Sequence, residues 1–434
     1  MKIGIRAEDK SPWERRTPLV PDDIRHLMAS GIDIVVQSSP RRAFGDAEFA
    51  EAGVPVRPDL DDRDLVIGIK EIPADAFRPD KIYLFFAHVI KGQPYNMPML
   101  RRMMDKRNTL FDYERITDDQ NRRLIFFGRH AGLAGMINTL WALGRRAAAE
   151  GIASPFADIR QARTYPDLEA AKTAIHRAGR AIESDGVPEA LHPLVFGFAG
   201  YGNVSQGAQE IFDLLPHVAV EPEDVKAATQ AAAASDRVLV KVVFGEKDIV
   251  RPKDPGAVFD LDDYYRFGAE RYENRFDEYT DHLSVLVNCI YWDNRYPRLL
   301  TLPQCRRLWS GDNAPRLRVI GDIGCDPDGA VQCTVRPTDP GNPVYVYDPQ
   351  TGETTDGFTG RGPVIMAVEI LPTEIPRESS LDFSRILSGF IPALAKADYD
   401  RPFEDLDLPS ELKRAMILYR GDLTPAYEYL QAHI

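Results

Sequence analysis

The sequence predicts an α/β chain built on two doubly wound, largely parallel sheets with a cleft between them. Two alternations of short apolar runs with helical stretches carry that prediction, one over residues 1–130 and one from Leu194 onward. Strands that alternate with helices in this way build parallel sheets. The third observation is "LVFGFAGYGNVSQGAQEIF" (194–212), which reads as a strand, a glycine turn and a helix.

In the first half, "KIGIR" (2–6) reads as a strand. Pro21 then opens a helix, with Asp22 and Asp23 in its first turn and Gly31 at its end. "IDIVVQ" (32–37), "DLVIGI" (64–69), "IYLFFA" (82–87) and "TLFDY" (109–113) are further strands, with helices near 46–52 and 95–107. A small-residue helix at 131–151 reads as a bridge between domains, and a polar helix follows at 167–185. In the second half the strands are 194–199, 217–221, 238–244, 285–290 and 317–323. A polar insert rich in Tyr, Asp and Glu fills 245–283, and loops of that length are functional or partly ordered. After a Pro- and Gly-rich stretch (326–363), helices are predicted at 379–398 and 409–433.

Composition excludes several classes. With 44% hydrophobic and 27% charged residues the chain buries ordinary cores. A net charge of −13 argues against a nucleic acid or other polyanion as general partner. No apolar run approaches the roughly 18 residues of a membrane span, and the N-terminus carries no signal region. The four cysteines lack C-x-x-C spacing and the eight histidines form no H-x-x-H pair, so no metal site is expected and a cytoplasmic location is. Self-association stays open.

The turn reads Gly200, Tyr201, Gly202, Asn203, Val204, Ser205, where a dinucleotide loop usually reads G-x-G-x-x-G. Gly200 permits the tight turn and Gly202 lets backbone approach a pyrophosphate at the helix N-terminus. Ser205 is small enough for the third position, and its hydroxyl offers a donor to phosphate. Glu221, after the next strand, stands where an acid holds a ribose 2′-hydroxyl, which favours NAD over NADP. Asn288, in "VLVNCI", joins the loop as a cofactor contact.

Ligands bind outside the carboxyl ends of parallel strands. There the first half places Arg16, Lys70, His88 and Lys91, with Arg123 before "LIFFG". Converging, they form a cationic cluster suited to a small polyanionic substrate, with Lys70 and His88 as acid/base groups. Asp322, ending "LRVIGDI", would face the same cleft from the other domain.

"IRAEDKSPWERRTPLVP", "FFAHVIKGQ", "FGRHAGLAGMINTL", "FAGYGNVSQGAQEIFDLLPHVAVEP", "LVNCIYWDNRYPRLLT" and "VIGDIGCD" together resemble the lysine–2-oxoglutarate reductase half of bifunctional aminoadipic semialdehyde synthase. The chain is more distantly similar to fungal saccharopine dehydrogenase and to the alanine dehydrogenase/transhydrogenase family. The resemblance implies two Rossmann-like domains. A catalytic domain spans 1–130 plus 331–434, and a dinucleotide domain spans 131–330. It implies NADPH-dependent condensation of L-lysine with 2-oxoglutarate to saccharopine, NADH being the alternative cofactor. It makes Lys70 and His88 the acid/base pair, Arg16, Lys91 and Arg123 the carboxylate ligands, and Asp322 the acid beside the substrate amine. The bifunctional protein continues where this chain stops, so a single activity is expected. A related opine-type reductase and a non-catalytic dinucleotide sensor are the competing readings.

Overall fold

The structure, a computed structural model, describes residues 1–231, 235–311 and 315–434. The chain forms two compact units, Met1–Phe127 with Pro376–Ile434, and Gly128–Ile375. The strands in chain order are β1 (Lys2–Ile5), β2 (Asp33–Gln37), β3 (Val56–Arg57), β4 (Leu65–Ile67), β5 (Ile82–Phe85) and β6 (Thr109–Asp112) in the first unit. The second unit holds β7 (Val195–Ala199), β8 (His217–Val220), β9 (Leu239–Phe244), β10 (Val250–Pro252), β11 (Tyr272–Asn274), β12 (Val285–Asn288), β13 (Val319–Asp322), β14 (Val344–Tyr347), β15 (Thr354–Asp356) and β16 (Val364–Met366). β17 (Met416–Tyr419) and β18 (Asp422–Leu423) return to the first unit.

In the first unit the sheet order is β18-β17-β6-β5-β4-β1-β2-β3. The strands β1 to β6 pair in parallel, and β17 pairs antiparallel with β6. Their apolar runs lie inside the sheet, and Ile3, Ile5, Leu65, Ile67 and Leu84 are fully buried. The helix Pro21–Ala29 begins on proline with two aspartates in its first turn, as its sequence predicts. The C-terminal helix Pro376–Leu387 docks on the segment before it. There Ser380 Oγ accepts from Thr17 N–H at 2.9 Å and Ser384 Oγ accepts from Val20 N–H at 3.0 Å. Phe383 and Leu387 then share a core with Leu19 and Ile24.

The second sheet has the order β15-β14-β16-β13-β12-β7-β9-β8, parallel except for β14 and β15. The domain boundary therefore differs from the expected one. Residues 331–375 belong to the second unit, because β14, β15 and β16 extend its sheet. The expected bridging helix is Gly128–Ala149, and it belongs to the second unit, packed on the helix Asn203–Phe212. Glycines set that approach. A Cβ on Gly132 would lie 1.9 Å from the Val204 carbonyl oxygen, and one on Gly207 would lie 2.0 Å from that of Arg129. The 245–283 insert is ordered as short helices around the β10/β11 ribbon. The expected helix at 409–433 is instead a short helix Ser410–Ala415, the strands β17 and β18, and a 3-10 segment Pro425–His433. Among the described residues no helix is long and apolar enough to cross a membrane, and no cluster of His, Cys, Asp or Glu could hold a metal.

Candidate active site

Four consecutive parallel neighbours, β6, β5, β4 and β1, place their carboxyl ends along one edge of the first sheet. Lys70 lies just past β4, His88 just past β5 and Glu114 just past β6, while Arg6 and Glu8 follow β1. The strand order reverses between β1 and β4, the position where open α/β sheets bind ligands. Lys70 and His88 are thus brought to one edge, as predicted, and both are half-buried.

His88 is the most constrained of these residues. Its φ of 53° lies in the left-handed region. Its ring stacks on Phe86, with centroids 5.9 Å apart, and its carbonyl accepts from Asn96 Nδ2 at 3.1 Å. Its Nδ1 lies 3.5 Å from Glu114 Oε1, which also accepts from Arg123 Nη2 at 2.8 Å. Burial pushes the Glu114 carboxyl up, but His88 and Arg123 outweigh it and hold the group below its ordinary range. The sequence marks Glu114, with Asp112 and Tyr113, as a polar residue at a strand end and gives it no role in the site. Its signal was its place in "TLFDYE", two residues past an apolar strand whose neighbour ends in a histidine.

Lys70 stands beside two buried carboxylates. Glu8 accepts from the backbone N–H of Ile69 at 2.7 Å and of Lys70 at 3.0 Å. Burial pushes its carboxyl up to about 7, against the pull of Arg6. Glu14 feels an opposing burial penalty, but Arg16 first and Lys70 after it keep its carboxyl below the ordinary range. Asp112 accepts from Glu114 N–H at 2.9 Å, and its other oxygen has no partner among the described residues. Burial, reinforced by the Glu114 charge, pushes Asp112 up to about 7.

The expected cationic cluster is corrected in one respect. Arg16 is buried and already grips Glu14 through Nε at 2.8 Å and Nη2 at 2.5 Å, with its guanidinium over the Phe127 ring at 4.2 Å. A guanidinium taken out of water needs a partner, and the neighbouring Glu14 supplies it. Arg6 pairs with Asp9 at 2.9 Å in the same way. Arg123 is half-exposed beside Glu114, and Lys91 is exposed. A cavity of about 350 Å³ is lined by residues including Arg6, Glu8, Gln37, Arg41, Arg78 and Tyr83; it contains neither Lys70 nor His88.

The second unit carries the glycine turn on β7. Gly200 has φ 93°, and a Cβ there would press on Ile290 Cγ2 at 3.0 Å. Gly202 caps the ten-residue helix Asn203–Phe212 without side-chain help, and a Cβ on it would meet nothing within 4 Å. Free helix N–H groups facing open space fit the phosphates of a dinucleotide. Tyr201 and Asn203 are exposed and Val204 is half-buried. Ser205 departs from expectation. It is fully buried and its Oγ accepts from Gln209 Nε2 at 2.9 Å, so the hydroxyl is turned into the protein and not toward a phosphate.

Three further expected contacts have these surroundings in the structure. Asp322 is buried with both oxygens engaged. Oδ2 accepts from Thr334 Oγ1 at 2.5 Å, and Oδ1 accepts from Asn288 Nδ2 at 2.8 Å and from Cys325 N–H at 3.3 Å. Asp322 and Asn288 therefore brace the ends of adjacent strands, and both carboxylate oxygens already have partners within the second unit. Burial pushes the Asp322 carboxyl up to about 6. Glu221 follows β8, the edge strand, and β9 lies between β8 and the loop strand β7. The acid past β9, beside the turn, is Glu246.

Residues 4–134 match the family described as alanine dehydrogenase/PNT, N-terminal domain. Over 99% of its length the chain is 40% identical to the alpha-aminoadipic semialdehyde synthase of Arabidopsis thaliana, and it spans 41% of that relative. Over 89% of its length it is 26% identical to the saccharopine dehydrogenase [NAD(+), L-lysine-forming] of Emericella nidulans, covering 90% of that protein. Among solved structures it is similar to an L-alanine dehydrogenase, with a TM-score of 0.58 at 17% identity, covering 100% of this chain and 99% of that one.

Proposed function

We propose that the chain condenses L-lysine with 2-oxoglutarate reductively to saccharopine, on the premise that residues 4–134 match the alanine dehydrogenase/PNT N-terminal domain family and that 99% of the chain aligns at 40% identity with an alpha-aminoadipic semialdehyde synthase. The observation that carries this reading is the edge formed by Lys70, His88 and Glu114 in a chain aligned end to end with such a relative. The chain spans less than half of that relative, so the activity is argued from its own residues.

Condensation needs a neutral amine, a ketone and a route for two protons. The amine nitrogen bonds to the ketone carbon, the former carbonyl oxygen leaves as water, and a carbon–nitrogen double bond remains. A bound nicotinamide dinucleotide supplies the hydride that reduces it. Glu114 holds the His88 ring by Nδ1, which leaves Nε2 to exchange a proton with the departing oxygen. Lys70, beside Glu14, is the second proton-exchanging group, matched to the amine. Of the three expected carboxylate ligands, Arg123 and Lys91 are exposed enough to meet a substrate carboxylate. Arg16 acts one step back, because its pairing with Glu14 fixes the carboxylate that faces Lys70. Positioning of this kind is worth on the order of 7–11 kcal/mol of barrier.

The test follows absorbance of the reduced dinucleotide with a panel of amines and oxo acids, and product mass. Lysine with 2-oxoglutarate turns over, and pyruvate, lacking the distal carboxylate, is at least about 10-fold poorer. Equal rates with pyruvate, or a better rate with ornithine, replace this reading with a broader opine-type reductase.

A further inference from the structure

Resting on the reading of Lys91 as a substrate-carboxylate ligand, we infer that Tyr429 and His433, on the 3-10 segment Pro425–His433, are positioning residues that hold the turn carrying Lys91 at both of its chain neighbours. Val89 to Gly92 form a tight turn, closed by Gly92 N–H donating to the Val89 carbonyl at 2.9 Å. Lys91 is exposed at its tip, while Gly92 behind it is buried. The residue before Lys91 is held by a hydrogen bond, in which Tyr429 OH donates to the Ile90 carbonyl at 2.6 Å. The residue after it is held by contact. Gly92 has φ 62°, and a Cβ there would lie 2.6 Å from Cγ and 2.7 Å from Cδ2 of the His433 ring. The imidazole thus occupies the space that a side chain at 92 would take, and glycine suits both that space and that backbone. An exposed lysine on a free turn would sample many positions. With residues 90 and 92 fixed, the freedom left is that of its own side chain.

The segment is itself anchored, so it can act as a fixed support. Tyr427 and Leu430 are buried in one apolar cluster with Ala87, Val89 and Ile417. Tyr427 OH donates to the Arg414 carbonyl at 2.6 Å and accepts from Arg115 Nε at 3.0 Å. Thr424, just before the segment, donates from Oγ1 to the Met416 carbonyl at 2.6 Å and from N–H to the Ile417 carbonyl at 3.1 Å, which ties it to β17. Burial pushes the Tyr429 phenol up, so it stays protonated and remains a donor. The other side of the loop has a separate support, since Asn96 Nδ2 donates to the carbonyls of Ala87 and His88 at 3.1 Å each. His88 and Lys91 are therefore set by different contacts. Loss of those from the 3-10 segment should release the lysine and leave the histidine in place. That division gives the inference its signature, a change in substrate affinity without a change in the chemical step.

Initial rates on the full chain are measured against each substrate in turn, for the wild type and for Lys91→Ala, Tyr429→Phe, His433→Ala and Gln431→Ala. Hydrogen exchange over residues 87–96 is recorded on the same proteins without substrate. Lys91→Ala identifies the substrate whose KM depends on the lysine. Tyr429→Phe and His433→Ala raise that same KM by about 5-fold, the worth of one net hydrogen bond, and leave kcat within about twofold. Both also speed exchange of the Gly92 amide, whose hydrogen bond closes the turn. Gln431→Ala, exposed on the same segment, changes neither. Unaltered exchange in Tyr429→Phe and His433→Ala overturns this inference alone. So does faster exchange with that KM unmoved, or a fall in kcat as large as the rise in KM. Wild-type kinetics in Lys91→Ala overturn the reading of Lys91 as a ligand and this inference with it. No turnover of lysine with 2-oxoglutarate by the wild type overturns the proposed function and what rests on it.

Discussion

His88 combines a left-handed backbone with a ring that stacks on Phe86 and lies 3.5 Å from Glu114, and the catalytic role proposed for it is open to a direct test. Asparagine tolerates the left-handed region well, so His88→Asn keeps the turn while removing the imidazole. Turnover should fall by roughly 10²–10⁴-fold, as for loss of a general acid or base, with dinucleotide affinity unchanged by calorimetry. Lys70→Met should behave alike; wild-type turnover in either variant removes that residue from the chemistry. Asp112 gives a stability test of the same edge. Its carboxyl is held up near 7 by burial, while in the unfolded chain it ionises near its ordinary value. Between those values the folded state binds the extra proton, so stability falls as pH rises from about 4 through about 7. Asp112→Asn removes that contribution. Urea midpoints at pH 5 and pH 8 should show a decline that is shallower in the variant, by on the order of 2 kcal/mol. An unchanged decline would mean the carboxyl is not held neutral. At this scale Lys70 and His88 were legible because they end apolar runs. The Glu114–His88 and Arg16–Glu14 pairings were not, since pairing depends on which strand ends meet and on which charges leave water.

Helix and strand packing decides what the glycines do. Gly202 has φ −73° and open space around its missing side chain, so Gly202→Val should leave the thermal midpoint nearly unchanged and abolish dinucleotide binding. Gly207 is the opposite case. Its missing Cβ is the space occupied by the Arg129 carbonyl, so Gly207→Val forces apart two buried helices. That should cost at least about 1–3 kcal/mol in a denaturant titration. Equal stability losses in the two variants would contradict this division of roles. Gly202 belongs to the turn motif and Gly207 to the helix after it, and only the position of the helix Gly128–Ala149 shows what Gly207 does. The order of β8 and β9 was hidden for a similar reason, because consecutive strands need not be neighbours. A signal was present all the same. "LVKVVF" is almost continuously apolar, as a strand covered on both faces must be, whereas "HVAV" is half-exposed as edge strands are. Reading that contrast puts Glu221 at the sheet edge and Glu246 beside the glycine turn.

The chain leaves its first unit at Phe127, builds a second from one continuous stretch, and returns at Pro376. The two-sheet architecture was legible from strand and helix alternation, but the return point was not. Residues 331–375 are Pro- and Gly-rich with strands of three and four residues, too short for periodicity to announce a sheet. The C-terminal strands were masked likewise, since "MILY" follows a helix without a break. This connectivity makes the units unequal when cut. The first needs both of its segments. Its core joins Ile5, Ile24 and Phe111 from the N-terminal stretch to Phe383, Leu387, Leu394 and Met416 from the return, and β17 covers the edge of β6. A fragment of residues 1–127 therefore exposes an apolar face and a free strand edge, and should be insoluble. The second unit is closed within one segment, with its own sheet and cores. Residues 128–375 expressed alone should give a cooperative thermal transition and bind dinucleotide within about 10-fold of the full chain, because every residue assigned to the nucleotide lies within it. Co-expressing 1–127 with 376–434 should recover soluble first unit where either piece alone fails. A fragment 128–375 that folds and does not bind would show that the nucleotide site is incomplete on this unit, and would withdraw the glycine turn as its sufficient core.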